Sequence, residues 1–338
     1  MSQVNTIRGP IDSAALGRTL SHEHLTNGSG GMERIPGLMD TPERRQEMVD
    51  RSVNALARVH QSGIDSVIDL TPFDLGRQMW LFEEVAKRQA EHGVNVVCAT
   101  GVYRWVPSVY FGWTEDEVAA HFTRDITEGI DGTGIKAGII KLAWDLEARL
   151  SEGRFAPRVH LEKMARGAAR AAKATGVPIS CHTLATDALG TPLLDLFESE
   201  GLDLRAVTIG HSNDTTDMAY LTSLAKRGAT VGLDRFFSPD PAYVEARSTI
   251  ALGLVQAGYA SQTCLGHDGS PAGFWGRWNP DPRPDVWTLV PDHEVPWLRA
   301  HGASDADIDA LLSTSIRATF EAAAGMAGMA GMPGMAGR

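Results

Sequence analysis

Two histidines stand one residue apart near the start of the chain, in the run Ser21-His22-Glu23-His24. Side chains alternate along a β-strand, so a strand here would place His22 and His24 on one face and Glu23 on the other. Two imidazoles about 7 Å apart on one face can converge on one metal ion. Taken alone, the motif also fits a surface strand with two solvated histidines. The positions of other candidate ligands therefore decide between the two interpretations.

More chemistry-bearing residues stand at the ends of apolar, strand-like runs. The fourth run contains Lys141, the fifth ends in His182, the sixth in His211, and Asp268 follows the eighth. Four of the chain's 11 histidines thus lie at strand ends, whereas surface histidines would scatter among helices and loops. Taken singly, His182 and His211 could also be core histidines bonded to backbone carbonyls, and Asp-Gly is a sequence typical of turns. His267 should point away from the site by alternation.

Lys141 is the residue that a purely structural interpretation explains least well, because it interrupts an apolar strand. An unpaired buried ammonium is costly, so the amine should lose its proton or find a partner. A neutral amine is a nucleophile and can add carbon dioxide. The resulting carbamate has two oxygens that can bridge two divalent cations. The alternative is a lysine that extends from the strand end to solvent.

Together these residues predict a binuclear metal centre. One ion would bind His22, His24 and Asp268, the other would bind His182 and His211, and the carboxylated Lys141 would bridge them. A hydroxide between the ions would be the nucleophile, because bound cations lower the pKa of water toward neutrality. Nitrogen and oxygen ligands without thiolate suit zinc, which we take first, and also cobalt, manganese or iron.

The elements that must position these residues follow from the apolar pattern. Eight strands are predicted, at about 18–24, 64–70, 94–100, 137–142, 177–182, 205–211, 229–233 and 262–266. Helices are predicted between and after them, at about 42–61, 75–92, 115–129, 161–175, 193–200, 218–227, 242–256, 292–301 and 304–323. Glycines stand at six helix ends, where a left-handed residue is favoured: Gly63, Gly93, Gly176, Gly201, Gly228 and Gly258.

Eight strand–helix units predict a single-domain (β/α)8 TIM barrel over residues 1–324, with its active site at the C-terminal ends of the strands. A doubly wound open sheet is the alternative, but no GxGxxG motif follows the first strand. Residues 325–338 repeat Gly, Met and Ala and carry no charge before Arg338. We expect this tail to be flexible.

Composition limits the classes of partner and compartment. The 338 residues are 43% hydrophobic, which is enough for a large core, and no apolar run of transmembrane length occurs. The start of the chain lacks the apolar core of a signal peptide, and an odd count of three cysteines argues for the reducing cytoplasm. A net charge of −11 disfavours nucleic acids and anionic membranes as partners.

The chain resembles the phosphotriesterase family of the amidohydrolase superfamily, which includes the phosphotriesterase-like lactonases. All six metal-ligand positions of the family pattern match, and the resemblance covers nearly the whole chain. Its motifs are Val4-Asn5-Thr6-Ile7-Arg8-Gly9-Pro10-Ile11, Leu20-Ser21-His22-Glu23-His24, Ala99-Thr100-Gly101-Val102-Tyr103, Ile140-Lys141, His182, His211, Gly232-Leu233-Asp234-Arg235 and His267-Asp268. The resemblance implies a (β/α)8 barrel, a carboxylated lysine between two metals, hydrolysis by a metal-bound hydroxide, and a homodimer.

Two positions are similar to the lactonase branch of the family. Tyr103 stands where organophosphate-specialised members tend to carry tryptophan, and its hydroxyl could bond the hydroxide or a lactone ring oxygen. It could instead be a loop aromatic packed on the barrel mouth. Arg235 could position substrate or hold the final loop, or form a structural ion pair. The glycine- and aromatic-rich loop from Gly269 to Trp278 could be a lid, a wall for an apolar substrate, or a dimer contact.

The predicted function is a cytoplasmic metal-dependent hydrolase of lactones, including the N-acyl-homoserine lactones of quorum sensing, with promiscuous organophosphate triesterase activity. Asp268 would accept a proton and pass it to the leaving alkoxide. Two alternatives stay open, namely a true organophosphate triesterase and a non-catalytic ligand-binding barrel. Small-molecule lactones or phosphotriesters are the expected partners.

Overall fold

A short antiparallel hairpin precedes the main sheet, with β1 at Gln3–Thr6 and β2 at Gly9–Asp12. The computed structural model describes residues 2–31, 41–150, 156–236, 238–272 and 285–330, and residues 328–330 by backbone alone. Eight parallel strands follow: β3 Thr19–Glu23, β4 Ser66–Asp69, β5 Asn95–Gly101, β6 Ile139–Trp144, β7 Ile179–Thr183, β8 Val207–Gly210, β9 Thr230–Leu233 and β10 Thr263–Leu265. Each pairs with its neighbours in chain order, as expected when a helix returns the chain to the next parallel strand.

The first and last of these strands meet, which closes the sheet into a barrel. The Ser21 hydroxyl donates to the carbonyl of Leu265 over 2.9 Å, and the Asp268 amide donates to the carbonyl of His22 over 2.9 Å. An open sheet would leave these strand edges apart. The predicted (β/α)8 barrel is therefore confirmed, and the doubly wound alternative is wrong.

Helices surround the barrel. They are α1 Pro42–Gln61, α2 Met79–Lys87, α3 Gln89–His92, α4 Glu115–Thr127, α5 Pro157–Thr175, α6 Gly190–Ser199, α7 Met218–Lys226, α8 Pro241–Gln256, α9 Val295–Ala300, α10 Asp305–Asp309 and α11 Ser315–Ala330. All six glycines predicted at helix ends have positive φ, from 68° to 100°. These residues therefore fix where each helix ends and the chain turns into the next strand.

Several helices begin or end a few residues from their predicted limits, among them the helix predicted from Leu75 and the last helix. The helix predicted from Leu75 begins only at Met79, because Gly76 has a left-handed conformation that ends a preceding turn. At the other end of the chain, α11 continues through Ala330, so residues 325–330 of the segment expected to be flexible are helical. Alanine and methionine favour helix, and Met326 Sδ accepts a hydrogen bond from the amide of Asp203. Residues 331–338 lie outside the described part of the chain.

The barrel interior contains a small apolar cluster. Inward-facing residues such as Ile68, Val97 and Ile139 pack there with Val4 of the hairpin and Phe320 of α11. The hairpin and the C-terminal helix therefore cover the N-terminal end of the barrel. A cavity of about 550 Å³ lies at that end, beside α11, but residues at this face of such barrels usually serve stability.

Among the described residues, no helix is both long enough and apolar enough to cross a bilayer.

Candidate active site

Five barrel strands bring the six predicted metal ligands together. Each lies in a strand or within three residues of its end: His22, His24, Lys141, His182, His211 and Asp268. All six line one cavity of about 400 Å³. This is the C-terminal end of the strands, where (β/α)8 barrels carry their active sites.

The carboxylate of Asp268 lies at the centre of this cluster. Its Oδ1 is 3.0 Å from His24 Nε2 and 3.5 Å from His22 Nε2, and its Oδ2 is 3.9 Å from His211 Nε2. The Lys141 amine lies 3.0 Å from His22 Nε2. Lys141 is buried and points into the barrel rather than to solvent.

Asp234 holds two of the four histidines from behind. Its Oδ2 accepts a hydrogen bond from His22 Nδ1 over 2.6 Å, and its Oδ1 accepts from both the ring Nδ1 and the backbone amide of His211, over 2.9 and 2.7 Å. Gly210 makes room for it, since a Cβ there would lie 2.8 Å from Asp234 Oδ2. Sequence reasoning did not assign Asp234 a role, although it follows β9 directly.

The other two histidines are held by separate acceptors. The Thr71 hydroxyl donates to Thr26 O, so it accepts from His24 Nδ1, 2.8 Å away. Asp145 Oδ2 accepts from His182 Nε2 over 2.6 Å. Thr71 and Asp145 were also missed by sequence reasoning, although Asp145 directly follows β6.

These acceptors favour one tautomer for each of the four rings. Each imidazole carries its proton on the outer nitrogen, where an acceptor receives it. The inner nitrogens therefore present lone pairs to the cavity, and those of His22, His24 and His211 face the Asp268 carboxylate. The ligand atoms of His22, His24 and Asp268 all lie within 4.8 Å of one another. A cluster of acceptors facing one another fits divalent cations, and outer hydrogen bonds of this kind are typical of metal-binding histidines.

Burial sets the charge states of the cluster. It lowers the pKa of Lys141 to about 8, although the charges of Asp268 and Asp234 oppose the shift. It also lowers the pKa of His22 to about 4 and that of His211 to about 3. Burial would raise the pKa of Asp268, but its interactions with His211, His22 and His24 outweigh burial and hold that pKa well below its ordinary value. The donor set thus includes His22 and His211 as neutral imidazoles, the Asp268 carboxylate and an amine of reduced basicity.

Two of the candidate ligands have a strained backbone. His211 and Asp268 have φ of 60° and 53°, in the left-handed region that non-glycine residues avoid. Such conformations cost about 1–3 kcal/mol each and cluster at functional sites. Here they aim the two side chains inward immediately after the strands end.

Tyr103 lies at the edge of the cluster. Its hydroxyl is 3.3 Å from His182 Nδ1, and burial raises its pKa above the ordinary value. Its backbone amide donates to both carboxylate oxygens of Asp74, over 2.9 and 3.1 Å. Tyr103 therefore faces the cavity from an anchored loop.

Arg235 joins Asp268 to a second acidic residue. Its Nη1 forms an ion pair with Asp214, and its Nε lies 3.5 Å from Asp268 Oδ2. Asp214 also pairs with Arg247 over 2.8 Å. Arg235 thus forms the ion pair foreseen as one alternative and also lines the cavity.

His267 lies outside the cluster, as alternation predicts. Its Nε2 accepts from the amide of Val290, so its Nδ1 donates to Glu23 over 2.7 Å. Within the predicted loop Gly269–Trp278, residues 269–272 are described. The aromatic residues Phe274, Trp275 and Trp278 lie outside the described residues.

Comparisons with known proteins agree with this geometry. A model of the Phosphotriesterase family matches residues 2–320. The phosphotriesterase homology protein of Mycobacterium tuberculosis (strain CDC 1551 / Oshkosh) is 34% identical over 344 residues, covering 96% of this chain and 99% of that protein. The aryldialkylphosphatase of Saccharolobus solfataricus is 33% identical over 307 residues, covering 87% of this chain and 92% of that protein.

A solved structure, that of the phosphotriesterase from Mycobacterium tuberculosis, has a TM-score of 0.81 with this one at 32% identity. The match covers 95% of this chain and 98% of that chain. The resemblance inferred from sequence motifs is therefore confirmed. The chain belongs to the phosphotriesterase family, and it is a hydrolase that acts on esters.

Proposed function

We propose that the protein is a binuclear-metal hydrolase that opens lactones, including N-acyl-homoserine lactones, with weaker activity toward organophosphate triesters. The observation that carries this proposal is that three imidazoles face Asp268, Lys141 lies beside His22, and His182 faces the same cavity next to the Tyr103 hydroxyl. A tyrosine here supports lactones as the main substrates.

Two divalent cations would be held by the six residues of the cluster. We assign His22, His24 and Asp268 to one ion and His182 and His211 to the other. Lys141, carboxylated to a carbamate, would bridge them, because a protonated amine would repel both cations. Zinc is our first choice, with cobalt, manganese and iron as alternatives. Such cations polarise an ester carbonyl and lower the pKa of water toward neutrality.

Proton transfer and the orientation of the substrate would depend on Asp268, Arg235 and Tyr103. Asp268 would accept the proton of the attacking water, and the nearby Arg235 guanidinium favours the ionised carboxylate before that transfer. When the ring C–O bond breaks, Asp268 would return the proton to the leaving alkoxide. Tyr103 keeps its proton because burial raises its pKa, so it can donate a hydrogen bond to the ring oxygen.

The cavity walls favour an uncharged substrate. Leu75, Leu146 and Leu184 line the cavity. Arg104 also lines it, but its guanidinium is bound by Glu147 through two contacts of 2.9 and 3.2 Å. An arginine already neutralised in this way offers little attraction to an anionic substrate, whereas the leucines suit an acyl chain or an apolar ester arm.

Elemental analysis combined with a substrate panel tests the proposal. We expect two divalent ions per chain, and a kcat/KM for an N-acyl-homoserine lactone at least tenfold above that for paraoxon. Chelation should abolish both activities, and added metal should restore them. Metal-loaded protein that opens neither substrate would refute the proposal.

Organophosphate triesterase as the main activity is the second candidate, favoured by the similarity to an aryldialkylphosphatase. The same panel separates it, because this candidate requires the higher kcat/KM for paraoxon. The non-catalytic barrel that the sequence left open as an alternative is wrong, because the comparisons identify a hydrolase that acts on esters.

A homodimer is our proposal for the assembly. Large exposed apolar side chains among the described residues all lie between positions 105 and 159, on the loops after β5 and β6 and at the start of α5: Trp105, Val109, Leu146, Leu150 and Val159. Exposed aromatic and aliphatic side chains of this kind suit a protein interface. Light scattering on the eluting protein would detect the dimer. The cytoplasm stays our prediction for location, consistent with three free, buried cysteines, and cell fractionation would test it.

A further inference from the structure

Asp145 is a buried carboxylate that neither the sequence motifs nor the proposed reaction uses. It follows β6 directly, four residues after Lys141. Its Oδ2 accepts from His182 Nε2 over 2.6 Å, and its Oδ1 accepts from the amide of Leu146 over 2.6 Å. The carboxylate is thereby fixed at both oxygens.

A cation from the neighbouring loop supports this carboxylate. Arg104 Nε lies 3.3 Å from Asp145 Oδ2, and the same guanidinium binds the buried Glu147. A carboxylate paired with a guanidinium and fixed at both oxygens is a strong acceptor for the imidazole N–H.

The support for His182 differs from that of the other three histidines. His22 and His211 share Asp234, which follows a barrel strand, and His24 uses Thr71. His182 instead bonds Asp145, which follows β6, and Asp145 in turn pairs with Arg104 from the loop after β5. Its ring centroid is 4.3 Å from that of His211, so a rotation of the ring would disturb that half of the cluster.

We propose that Asp145, supported by Arg104, is the positioning residue that fixes His182 in the Nε2–H tautomer and turns its Nδ1 toward the cavity. The inference rests on the proposed metal centre for its effect on metal binding. The tautomer itself is a property of the metal-free protein. Loss of Asp145 should therefore weaken one of the two ions while leaving the ion assigned to His22, His24 and Asp268 in place.

The experiment compares Asp145→Ala with a matched control, Asp125→Ala. Asp125 is also a buried carboxylate with one short hydrogen bond, 2.6 Å from the Thr100 hydroxyl, but it lies outside the cavity. Metal content is measured while a chelator of graded strength competes for the ions. We expect Asp145→Ala to lose about 10- to 100-fold in affinity for one ion, with the second ion and the control unchanged. Arg104→Met should weaken the same ion by a smaller factor.

A second readout uses the metal-free protein. Long-range ¹H–¹⁵N spectra should show the proton of His182 on Nε2 in the wild type and lose that preference in Asp145→Ala. Wild-type affinity for both ions in Asp145→Ala, equal losses in Asp125→Ala, or a wild-type His182 protonated on Nδ1 would each overturn the inference. A wild-type chain that binds no metal would refute the proposed function instead, and the tautomer spectrum would still decide the role of Asp145.

Discussion

Replacing Asp234 with asparagine changes one atom of a carboxylate that serves two histidines. The remaining oxygen can keep both donors of His211, but the new NH2 group then faces the Nδ1–H of His22. Two donors cannot bond each other. The proton of His22 must either stay unsatisfied or move to Nε2, the nitrogen that faces Asp268.

The size of the effect follows from this conflict. A buried donor left without an acceptor costs about 1–3 kcal/mol, and the tautomer shift blocks the lone pair that a cation needs. Because each 1.4 kcal/mol is a factor of ten, we expect Asp234→Asn to weaken the ion held by His22 by about 5- to 150-fold. Cobalt(II) absorbance during competition with a chelator would report the affinity of each ion.

The control is Asp125→Asn, the same chemical change at a buried carboxylate bonded to Thr100 outside the cavity. It should leave both ions at wild-type affinity. If Asp234→Asn also bound both ions as tightly as the wild type, Asp234 would not be directing His22, and our assignment of its tautomer would be wrong.

Three other predictions concern the bridge, a buried acid and the C-terminal helix. Lys141→Ala should bind fewer than two ions per chain, because the bridging group is absent; two ions in that variant without added carboxylate, by elemental analysis, would contradict the bridge. Burial raises the pKa of Glu294 from 4.5 to about 8. The free energy of unfolding therefore has its full contribution from protonated Glu294 below about pH 4.5, and this contribution is lost as the pH rises through about 8. Glu294→Gln should remove a slope of about 1.4 kcal/mol per pH unit within that window, measured by urea unfolding at pH 5, 7 and 9; an unchanged slope would show that Glu294 titrates normally. A chain ending at Ala330 should keep the wild-type Tm, whereas one ending at Ala324 should melt several degrees lower. The shorter chain loses the contact of Met326 with Asp203 and the packing of Ala327 on Gly176. Equal melting temperatures would mean that residues 325–330 add no stability.

The barrel and the positions of its six candidate ligands were predictable because both depend on local patterns. Apolar runs, helix-ending glycines and the residues just after each run are readable one segment at a time. Lys141 illustrates this, since a lysine within an apolar strand must point inward or reach the strand end. Once the strands are known to close into a barrel, strand ends distant in sequence must meet.

The outer hydrogen bonds were not predictable in the same way. Asp145 lies 37 residues from His182, and Asp234 lies 212 residues from His22. Which loop carboxylate meets which ring nitrogen depends on packing between loops, which no local pattern encodes. The sequence did contain one indication of their roles. Asp145 and Asp234 each directly follow a strand, and Asp268 follows its strand by three residues. Applying the strand-end argument to every acidic residue would have found them.

Flexibility was expected from residue 325 onward, but residues 325–330 are helical, and the reason differs from that for the hydrogen bonds. The glycines of this tail and its lack of charge indicated flexibility, but intrinsic propensity is a weak guide where tertiary contacts exist. Met326 and Ala327 pack against Asp203 and Gly176, and those contacts extend the helix to Ala330.

The junction of β3 and β10 both closes the barrel and holds two of the candidate metal ligands together. In the described residues these strands share side-chain and loop contacts and an isolated bridge between Glu23 and Gly269, rather than a ladder of paired residues such as β4 forms with β5 or β9 with β10. His22 and Asp268 lie on opposite sides of this junction and are joined through it by a main-chain hydrogen bond. A brief parting of the two edges would pull the ligands away from each other while seven strand pairings stayed intact. Activity should accordingly vanish at denaturant concentrations that leave the far-ultraviolet spectrum unaltered.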